Sequence, residues 1–183
     1  MRCPRDHNFN DVDSMIEKGD KIVLAGAAGL VGQNLAVLLR EQGYRNLVGI
    51  DKHSHNTQVL RKLNPGMTVI EADLSQPGTW EDSLRGARAL VMLQAQIGGE
   101  VYGEFVANNI TSTEQVLAAC RRHGVESIIH ISSSVVNSRA NDFYTETKKA
   151  QERLVLESGI PCVVLRPTLM FGWFDRKHLG WLS

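Results

Sequence analysis

A tyrosine and a lysine at helical spacing are the residues of this chain best suited to acid–base chemistry. Tyr144 and Lys148 are four residues apart in a segment with a helical pattern, so their side chains share one helix face. A phenol titrates at about pH 10 in water, and a nearby ammonium favours the phenolate, so the pair can act as a base at neutral pH. A serine hydroxyl from the run Ser132-Ser133-Ser134 can hold a substrate alcohol while the tyrosine takes its proton. The alternative is a tyrosine and a lysine on a solvated helix face.

Two predicted elements place these groups. Ser127 to Ile131 is a short apolar run that predicts a strand, and the serines follow at its carboxyl end. After a polar loop, a helical pattern covers residues 143–158 and carries the tyrosine in its first turn. Ligand crevices of open parallel sheets lie outside the carboxyl ends of the strands, so we expect both groups at such a crevice.

A glycine turn between a strand and a helix is the second functional pattern. Lys21 to Ala25 is an apolar run typical of a buried parallel strand, and a helical pattern begins at about residue 30. Gly26 and Gly29 lie between the strand and the helical pattern, and Gly32 lies in the first turn of that pattern. The glycines are thus spaced three residues apart. In this position the first glycine allows a sharp turn, the second lets a pyrophosphate approach the main chain, and the third allows close packing. The helix N-terminus attracts the phosphates, so the pattern predicts a dinucleotide site.

An aspartate at the end of the next predicted strand indicates which dinucleotide is preferred. Asp51 follows the apolar run 46–50 and lies about 20 residues beyond the glycine turn, where a carboxylate can accept hydrogen bonds from both ribose hydroxyls. It would repel a 2′-phosphate, so it favours NAD over NADP. Lys52 and His53 weaken that preference without reversing it. The alternative is a loop aspartate at a strand end.

Strands and helices alternate along the rest of the chain. Apolar runs predict further strands at 67–71, 89–93 and 162–165, and helical patterns cover 30–43, 57–63 and 101–122. The alternation predicts a doubly wound parallel sheet, a Rossmann-like α/β fold in a single domain over residues 21–172. Residues 1–20 form a polar extension, and residues 173–183 are expected to begin a further lobe.

Polar residues after the third and fourth predicted strands complete the expected crevice. Asp73 comes directly after the third strand, where an adenine edge would lie, but it is equally well explained as the N-cap of a short turn. Gln94 and Ala95 follow the fourth strand and are expected beside the cofactor. Asn109, in the long helix, either faces the ends of the strands or contacts solvent.

Composition excludes several other classes. Twenty basic residues balance twenty acidic ones, so the charge gives no reason to expect nucleic acid or an anionic membrane as a partner. Three scattered cysteines in no C-x-x-C pair favour free thiols in a reducing cytoplasm over disulfides or a metal site. No apolar run approaches the roughly 20 residues of a membrane span.

These motifs together resemble the extended short-chain dehydrogenase/reductases, in particular the NAD-dependent nucleotide-sugar epimerase/dehydratase family. The resemblance covers about 150 residues in the family's order and is carried by these segments: Ala25–Gly32, Asp51, Asp73-Leu74, Asn109–Thr113, Ser132-Ser133, Tyr144-x-x-x-Lys148 and Arg166–Gly172.

The resemblance implies roles for individual residues. Ser133 would be the catalytic hydroxyl, with Ser134 as the second choice, Tyr144 the base, and Lys148 the group that binds the nicotinamide ribose. The segment after Arg166-Pro167 would close over the nicotinamide amide. A homodimer through the two long helices is also implied. The predicted NAD contacts are Gly26, Ala28, Gly29, Leu30, Val31, Gly32, Asp51, Lys52, Asp73, Leu74, Leu93, Gln94, Ala95, Asn109, Ser132, Tyr144, Lys148, Pro167 and Thr168.

Departures from the family pattern shape the functional prediction. Val136-Asn137-Ser138 replaces the usual Val-Tyr-Gly, residues 93–96 differ from the common loop, and the chain stops where the substrate lobe of the family should start. Ser134 and Val135 follow Ser133 where dehydratases usually carry an Asp-Glu pair, which favours an epimerase of nucleotide-linked sugars. The alternatives are a dehydrogenase or reductase of a small alcohol, steroid or aldehyde, and a nucleotide-binding module that is inactive as truncated.

Overall fold

Within the described part of the chain, six parallel strands form one sheet whose order reverses next to the first strand. The computed structural model describes residues 16–170. The strands are β1 (Lys21–Ala25), β2 (Leu47–Asp51), β3 (Thr68–Glu71), β4 (Ala87–Met92), β5 (Ser127–Ile131) and β6 (Cys162–Leu165). They pair in the order β3-β2-β1-β4-β5-β6, with every pairing parallel. The predicted doubly wound α/β sheet is confirmed, and its switch point lies between β1 and β4.

Helices connect successive strands across both faces of the sheet. They are α1 (Leu30–Glu41), α2 (Ser54–Leu63), α3 (Tyr102–Phe105), α4 (Ser112–His123) and α5 (Phe143–Leu156). The short 3₁₀ helices Thr79–Leu84 and Ser134–Asn137 were not predicted from the sequence. The second helix begins three residues earlier than its pattern indicates, at Ser54.

The central strands are apolar on both sides because helices cover both. Val23 of β1 faces a core that includes Val116 and Leu117 of α4, whereas the next residue, Leu24, faces a core that includes Ala36 of α1 and Leu60 of α2. Successive side chains of a strand point to opposite faces, so a continuous apolar run is required here.

The long predicted helix over residues 101–122 is not a uniform α-helix. A π-helical segment, Val106–Thr111, joins α3 to α4. Such wide turns accommodate an additional residue and are frequent at functional sites. Asn109 lies in this segment and is fully buried.

Some sequence predictions concern residues that the structure does not describe. The extension 1–20 is described only from Ile16, and the aromatic segment 173–183, together with Phe171 and Gly172, lies outside the described residues. Within residues 16–170, no helix has the length and apolar character needed to cross a membrane.

Candidate dinucleotide and active site

One cavity of about 690 Å³ lies at the carboxyl ends of β1, β4 and β5, beside the switch point of the sheet. The glycine turn forms one wall, and the start of α5 and the serine run form another. The predicted site residues that line it are Gly26, Ala28, Gly29, Leu30, Val31, Gly32, Leu93, Ala95, Ser132, Ser133, Tyr144, Lys148 and Thr168. The two patterns recognised separately in the sequence therefore share one cavity.

The glycine turn has the shape needed to receive a dinucleotide. Gly26 has φ +82°, and a Cβ there would lie 2.6 Å from the backbone nitrogen of Gln94. A Cβ on Gly32 would lie 2.5 Å from the carbonyl oxygen of Ala27, so α1 packs directly on the turn. Gly29 is exposed and caps α1 without any side-chain hydrogen bond to the first turn. The backbone amides of that turn therefore face the cavity, which suits a pyrophosphate.

Asp51 is tied to the glycine turn and does not line the cavity. Its Oδ2 accepts a hydrogen bond of 3.0 Å from the backbone N–H of Ala28. Its Oδ1 accepts one of 3.0 Å from the N–H of His53, whose ring Nδ1 lies 2.9 Å away. Asp51 is 7% exposed; both lone pairs of Oδ1 are engaged by His53, and Oδ2 keeps one lone pair for a further donor.

Lys52, Asp73 and Leu74 also lie outside the cavity lining. Lys52 Nζ donates to Asn108 Oδ1 at 2.6 Å and lies 3.6 Å from Asp73 Oδ2. Asp73 Oδ1 accepts hydrogen bonds from the N–H and the hydroxyl of Ser75, so the turn-capping alternative is observed. Partial burial raises the pKa of Asp73, but the hydrogen bonds from Ser75 and the charge of Lys52 outweigh it and lower the pKa. Leu74 packs in the core, and contact with adenine stays a prediction for both positions.

Asn109 positions the loop that follows β4. Its Oδ1 accepts a hydrogen bond from the N–H of Gln96 at 2.6 Å, while its Nδ2 donates to the carbonyl of Gln96 at 3.1 Å and to Thr147 Oγ1 at 2.9 Å. Asn109 and its neighbour in the network, Gln94, do not line the cavity. Pro167 does not line it either; its carbonyl accepts a hydrogen bond from the N–H of Ser134.

The hydroxyls of Ser132 and Ser133 point in different directions. Ser132 donates to Glu152 Oε2 at 2.5 Å, so its proton is directed into the protein. Ser133 Oγ accepts a hydrogen bond of 3.4 Å from the N–H of Val135, which leaves its own proton available to the cavity that it lines. Ser134 begins the 3₁₀ helix and also lines the cavity. The geometry therefore suits Ser133 better than Ser132 for contact with a substrate hydroxyl.

Lys148 is almost completely buried but reaches the cavity. The residue is 1% exposed, and its Nζ donates to the carbonyl of Ile131 at 3.2 Å and to Gln151 Oε1 at 2.5 Å. Burial lowers the pKa of Lys148 to about 8, although the charge of Glu152 acts in the opposite direction. Tyr144 lines the same cavity one turn earlier on α5.

Residues 22–180 match the model of the NAD dependent epimerase/dehydratase family. The match covers most of the chain.

The chain belongs to this family.

Similar proteins within this NAD-dependent family include both reductases and epimerases. The chain is 29% identical to the 2-alkyl-3-oxoalkanoate reductase of Stenotrophomonas maltophilia, over 86% of this chain and 53% of that protein. It is 27% identical to the 3 beta-hydroxysteroid dehydrogenase/Delta 5→4-isomerase of Mycobacterium tuberculosis, over 85% of this chain and 48% of that protein. Among solved structures, the UDP-glucuronic acid 4-epimerase of Bacillus cereus in complex with NAD has a TM-score of 0.71 and 30% identity, over 83% of this chain and 57% of that one. The chain thus spans about half the length of the curated relatives it matches.

An ion pair between a buried carboxylate, Glu152, and a half-exposed arginine, Arg166, supports the serine side of the site in this family member. Arg166, at the end of β6, donates to Glu152 through Nη2 at 2.5 Å and through Nε at 3.1 Å. Burial raises the pKa of Glu152, but hydrogen bonds from Arg166 and Ser132 outweigh it and lower the pKa. This carboxylate therefore joins α5, the tip of β5 and the end of β6 beneath the cavity.

Sequence reasoning missed two groups of residues at the site. Gln151 and Glu152 lie three and four residues beyond Lys148, and their positions on the same helix face as the lysine were a usable signal. The cavity-lining residues that it missed have no motif of their own; they are Gln33, His55, Asn56, Val59, Ile97, Ile131 and Val135, whereas Leu169 and Met170 belong to the predicted segment after Arg166-Pro167.

Proposed function

We propose that this chain carries the NAD site and the catalytic residues of an epimerase that acts on a nucleotide-linked sugar. The observation that carries the proposal is that the glycine turn and Ser133, Tyr144 and Lys148 line the same cavity. Membership of the NAD-dependent epimerase/dehydratase family and the likeness to a UDP-glucuronic acid 4-epimerase support it. Because the chain spans about half of its relatives, the substrate belongs to the proposal.

The residues present fit NAD. The first turn of α1 would hold the pyrophosphate through backbone N–H groups, since Gly29 leaves the main chain uncovered. Asp51 would accept a hydrogen bond from an adenosine ribose hydroxyl on the remaining lone pair of Oδ2, and its charge disfavours a 2′-phosphate. Lys148 would donate to the nicotinamide ribose. When bound, NAD would supply the acceptor and donor of hydride that the reaction needs.

The side chains of this protein would manage the proton. Ser133 would hold the reacting sugar hydroxyl, because its own proton is free to enter the cavity. Tyr144 would remove the hydroxyl proton as the sugar carbon becomes a ketone, and would return it when the carbinol is restored. Lys148, one turn along the helix, lines the same cavity as this base. Epimerisation requires the sugar to present its other face before the carbinol forms again.

The residues after Ser133 favour epimerase over dehydratase. Elimination of water needs an additional acid near the reacting sugar, and Ser134 and Val135 provide no carboxyl group there. The carboxylate of Glu152 lies below the serines but is occupied by Ser132 and Arg166.

Turnover by a Tyr144→Phe variant tests the proposal. We expect the variant to bind NAD with unchanged affinity, measured by calorimetry, and to lose epimerisation of UDP-sugars. Unchanged turnover would rule out the assigned base. The 183-residue chain should bind NAD by itself; turnover by this chain would exclude the alternative of a silent nucleotide-binding module. We retain the homodimer through the long helices as a prediction, to be checked by light scattering.

A dehydrogenase or reductase of an apolar alcohol is the second candidate. Two curated relatives are a reductase and a hydroxysteroid dehydrogenase. Ile97, Leu169 and Met170 also give the cavity an apolar rim with exposed side chains. An epimerase retains NAD through its cycle, whereas a reductase releases it. Protein purified with NAD bound would therefore favour the epimerase, and protein that needs added coenzyme would favour the reductase.

A further inference from the structure

Gln151 is a fully buried amide on α5 with every polar atom bonded. It is 0% exposed and lies three residues beyond Lys148. Its Nε2 donates to Thr113 Oγ1 at 3.0 Å and to the carbonyl of Gln94 at 3.2 Å. Its Oε1 accepts a hydrogen bond from Lys148 Nζ at 2.5 Å. The amide thus connects Lys148 to α4 and to the loop after β4.

The surroundings fix which end of this amide faces the lysine. The carbonyl of Gln94 can only accept, so it requires the NH₂ group. The hydroxyl of Thr113 gives its proton to the carbonyl of Asn109 at 2.8 Å, so it too must accept from Gln151. A flipped amide would face two acceptors with its oxygen and the ammonium with its NH₂ group. Gln151 Oε1 is therefore held toward Lys148 by partners that cannot exchange roles.

The ammonium of Lys148 keeps one N–H donor for the cavity. A lysine ammonium has three N–H donors and no acceptor. Two of them are used inside the protein, by the carbonyl of Ile131 and by Gln151. The third remains, and Lys148 lines the cavity.

We propose that Gln151 is a positioning residue that anchors Lys148 through a neutral acceptor, leaving one N–H of the ammonium for a ligand in the cavity. This inference rests on the proposed function, in which Lys148 contacts the cofactor. A glutamate at this position would make the same contact with a full negative charge. A methionine would fill similar space with no comparable acceptor.

The charged groups around Lys148 allow a neutral acceptor at position 151 to be distinguished from a carboxylate by the pKa of Lys148. The titratable or charged groups near it on α5 and β5, and behind them at the end of β6, are Tyr144, Glu152, His130 and Arg166. Glu152 is already bound to Arg166 and Ser132. α4, the π-helical segment and the loop after β4 contribute neutral groups to the network, Thr113, Asn109 and Gln94. A carboxylate at position 151 would therefore be a direct charged partner of the ammonium.

The experiment is a titration of Lys148 by NMR in the 183-residue chain labelled at the lysine Cε positions. A Lys148→Met variant assigns the signal. Gln151→Glu should raise the pKa of Lys148 by about 1 to 3 pH units, because an opposite charge within a few ångströms stabilises the ammonium. Gln151→Met should lower the pKa of Lys148 below the value in the unsubstituted protein. Asn64→Asp is the matched control, since Asn64 is also a buried amide but caps α2 through the carbonyl of Leu60; it should leave Lys148 unchanged.

An unchanged Lys148 titration in folded Gln151→Glu protein, judged by circular dichroism, would overturn the inference. If that variant does not fold, Gln151→Met decides in the same way: an unchanged pKa overturns the inference and a lowered pKa supports it. The measurement needs neither turnover nor NAD. An unchanged pKa of Lys148 in the Gln151 variants would thus refute this inference alone. Failure of the proposed function would instead appear as unchanged turnover in Tyr144→Phe.

Discussion

The buried imidazole of His130 should make the fold sensitive to acid. His130 lies on β5, is 0% exposed, and has no hydrogen-bond partner for either ring nitrogen among residues 16–170. Burial, and then the positive charge of Lys148, lower the pKa of His130 from 6.5 to about 3, while the charge of Glu152 opposes them. The folded protein therefore holds this ring in its neutral form.

The size of the effect follows from the two pKa values. The unfolded chain takes up the proton near pH 6.5, and the folded protein only near pH 3, so the unfolded state binds more protons between them. The contribution to the free energy of unfolding is therefore complete above pH 6.5 and is lost as the pH falls toward 3. From pH 8 to pH 5 this group alone should remove about 2 kcal/mol. The figure hardly depends on the folded-state pKa, provided that it lies well below 5.

Urea unfolding at pH 8 and pH 5 measures this loss. His130→Leu removes the titration and keeps the site apolar, so its loss between the two pH values should be smaller by about 2 kcal/mol. His123→Gln, at the partly exposed end of α4, is the matched histidine control and should behave like the unsubstituted protein. Acidic groups titrate in all three proteins and cancel in the comparison. An equal loss in His130→Leu would show that the buried imidazole is not the source of the acid sensitivity.

Three further substitutions test the surroundings of the site. Gly32→Ala should lower the free energy of unfolding by about 1–3 kcal/mol and weaken NAD binding measured by calorimetry, because the added Cβ would overlap the backbone of the turn. The control is Gly103→Ala in α3, where a Cβ meets open space, so the free energy of unfolding should stay the same or rise slightly. Asp51→Asn should raise the affinity for NADP relative to NAD by about tenfold, equivalent to about 1.4 kcal/mol, and an unchanged ratio of the two dissociation constants would argue against contact with the ribose. Arg166→Met should lower the free energy of unfolding, measured with urea, by about 1–3 kcal/mol, because it leaves the Glu152 carboxylate buried without its cation. Adding Glu152→Gln should restore part of that loss. If the losses of the two single variants simply added in the double variant, the coupling between Arg166 and Glu152 would be contradicted.

The order of elements could be predicted from sequence because each strand is a short apolar run bounded by turn residues. Predicted and observed bounds agree for Ser127–Ile131 and Cys162–Leu165. The helix Thr79–Leu84 was missed because two 3₁₀ turns with two buried side chains, Trp80 and Leu84, are too short to give a periodic signal. The π-helical segment was missed because one additional residue barely alters the spacing of apolar positions in so long a pattern.

The candidate site was predictable where function depends on local spacing. Tyr144 and Lys148 are brought together by one helical turn, and the glycine turn is local as well. The network around Gln151 was not predictable, because its partners Thr113 and Gln94 belong to other elements and meet it only in the folded sheet. Asp73 shows a third case: the same carboxylate satisfies a turn-capping pattern and a crevice position, and sequence alone cannot separate the two.

In the π-helical segment Val106–Thr111, the number of residues determines the direction in which its side chains face. Each residue of an α-helix advances by about 100° around the axis. Because the segment accommodates its additional residue locally, deleting one residue would restore a regular helix and would change the direction in which residues inside the segment face by up to about that angle. Asn109 would then no longer face Gln96, and the loop after β4 would lose its anchor. We therefore expect homologues to vary in length in their surface loops and to conserve the residue number of this segment.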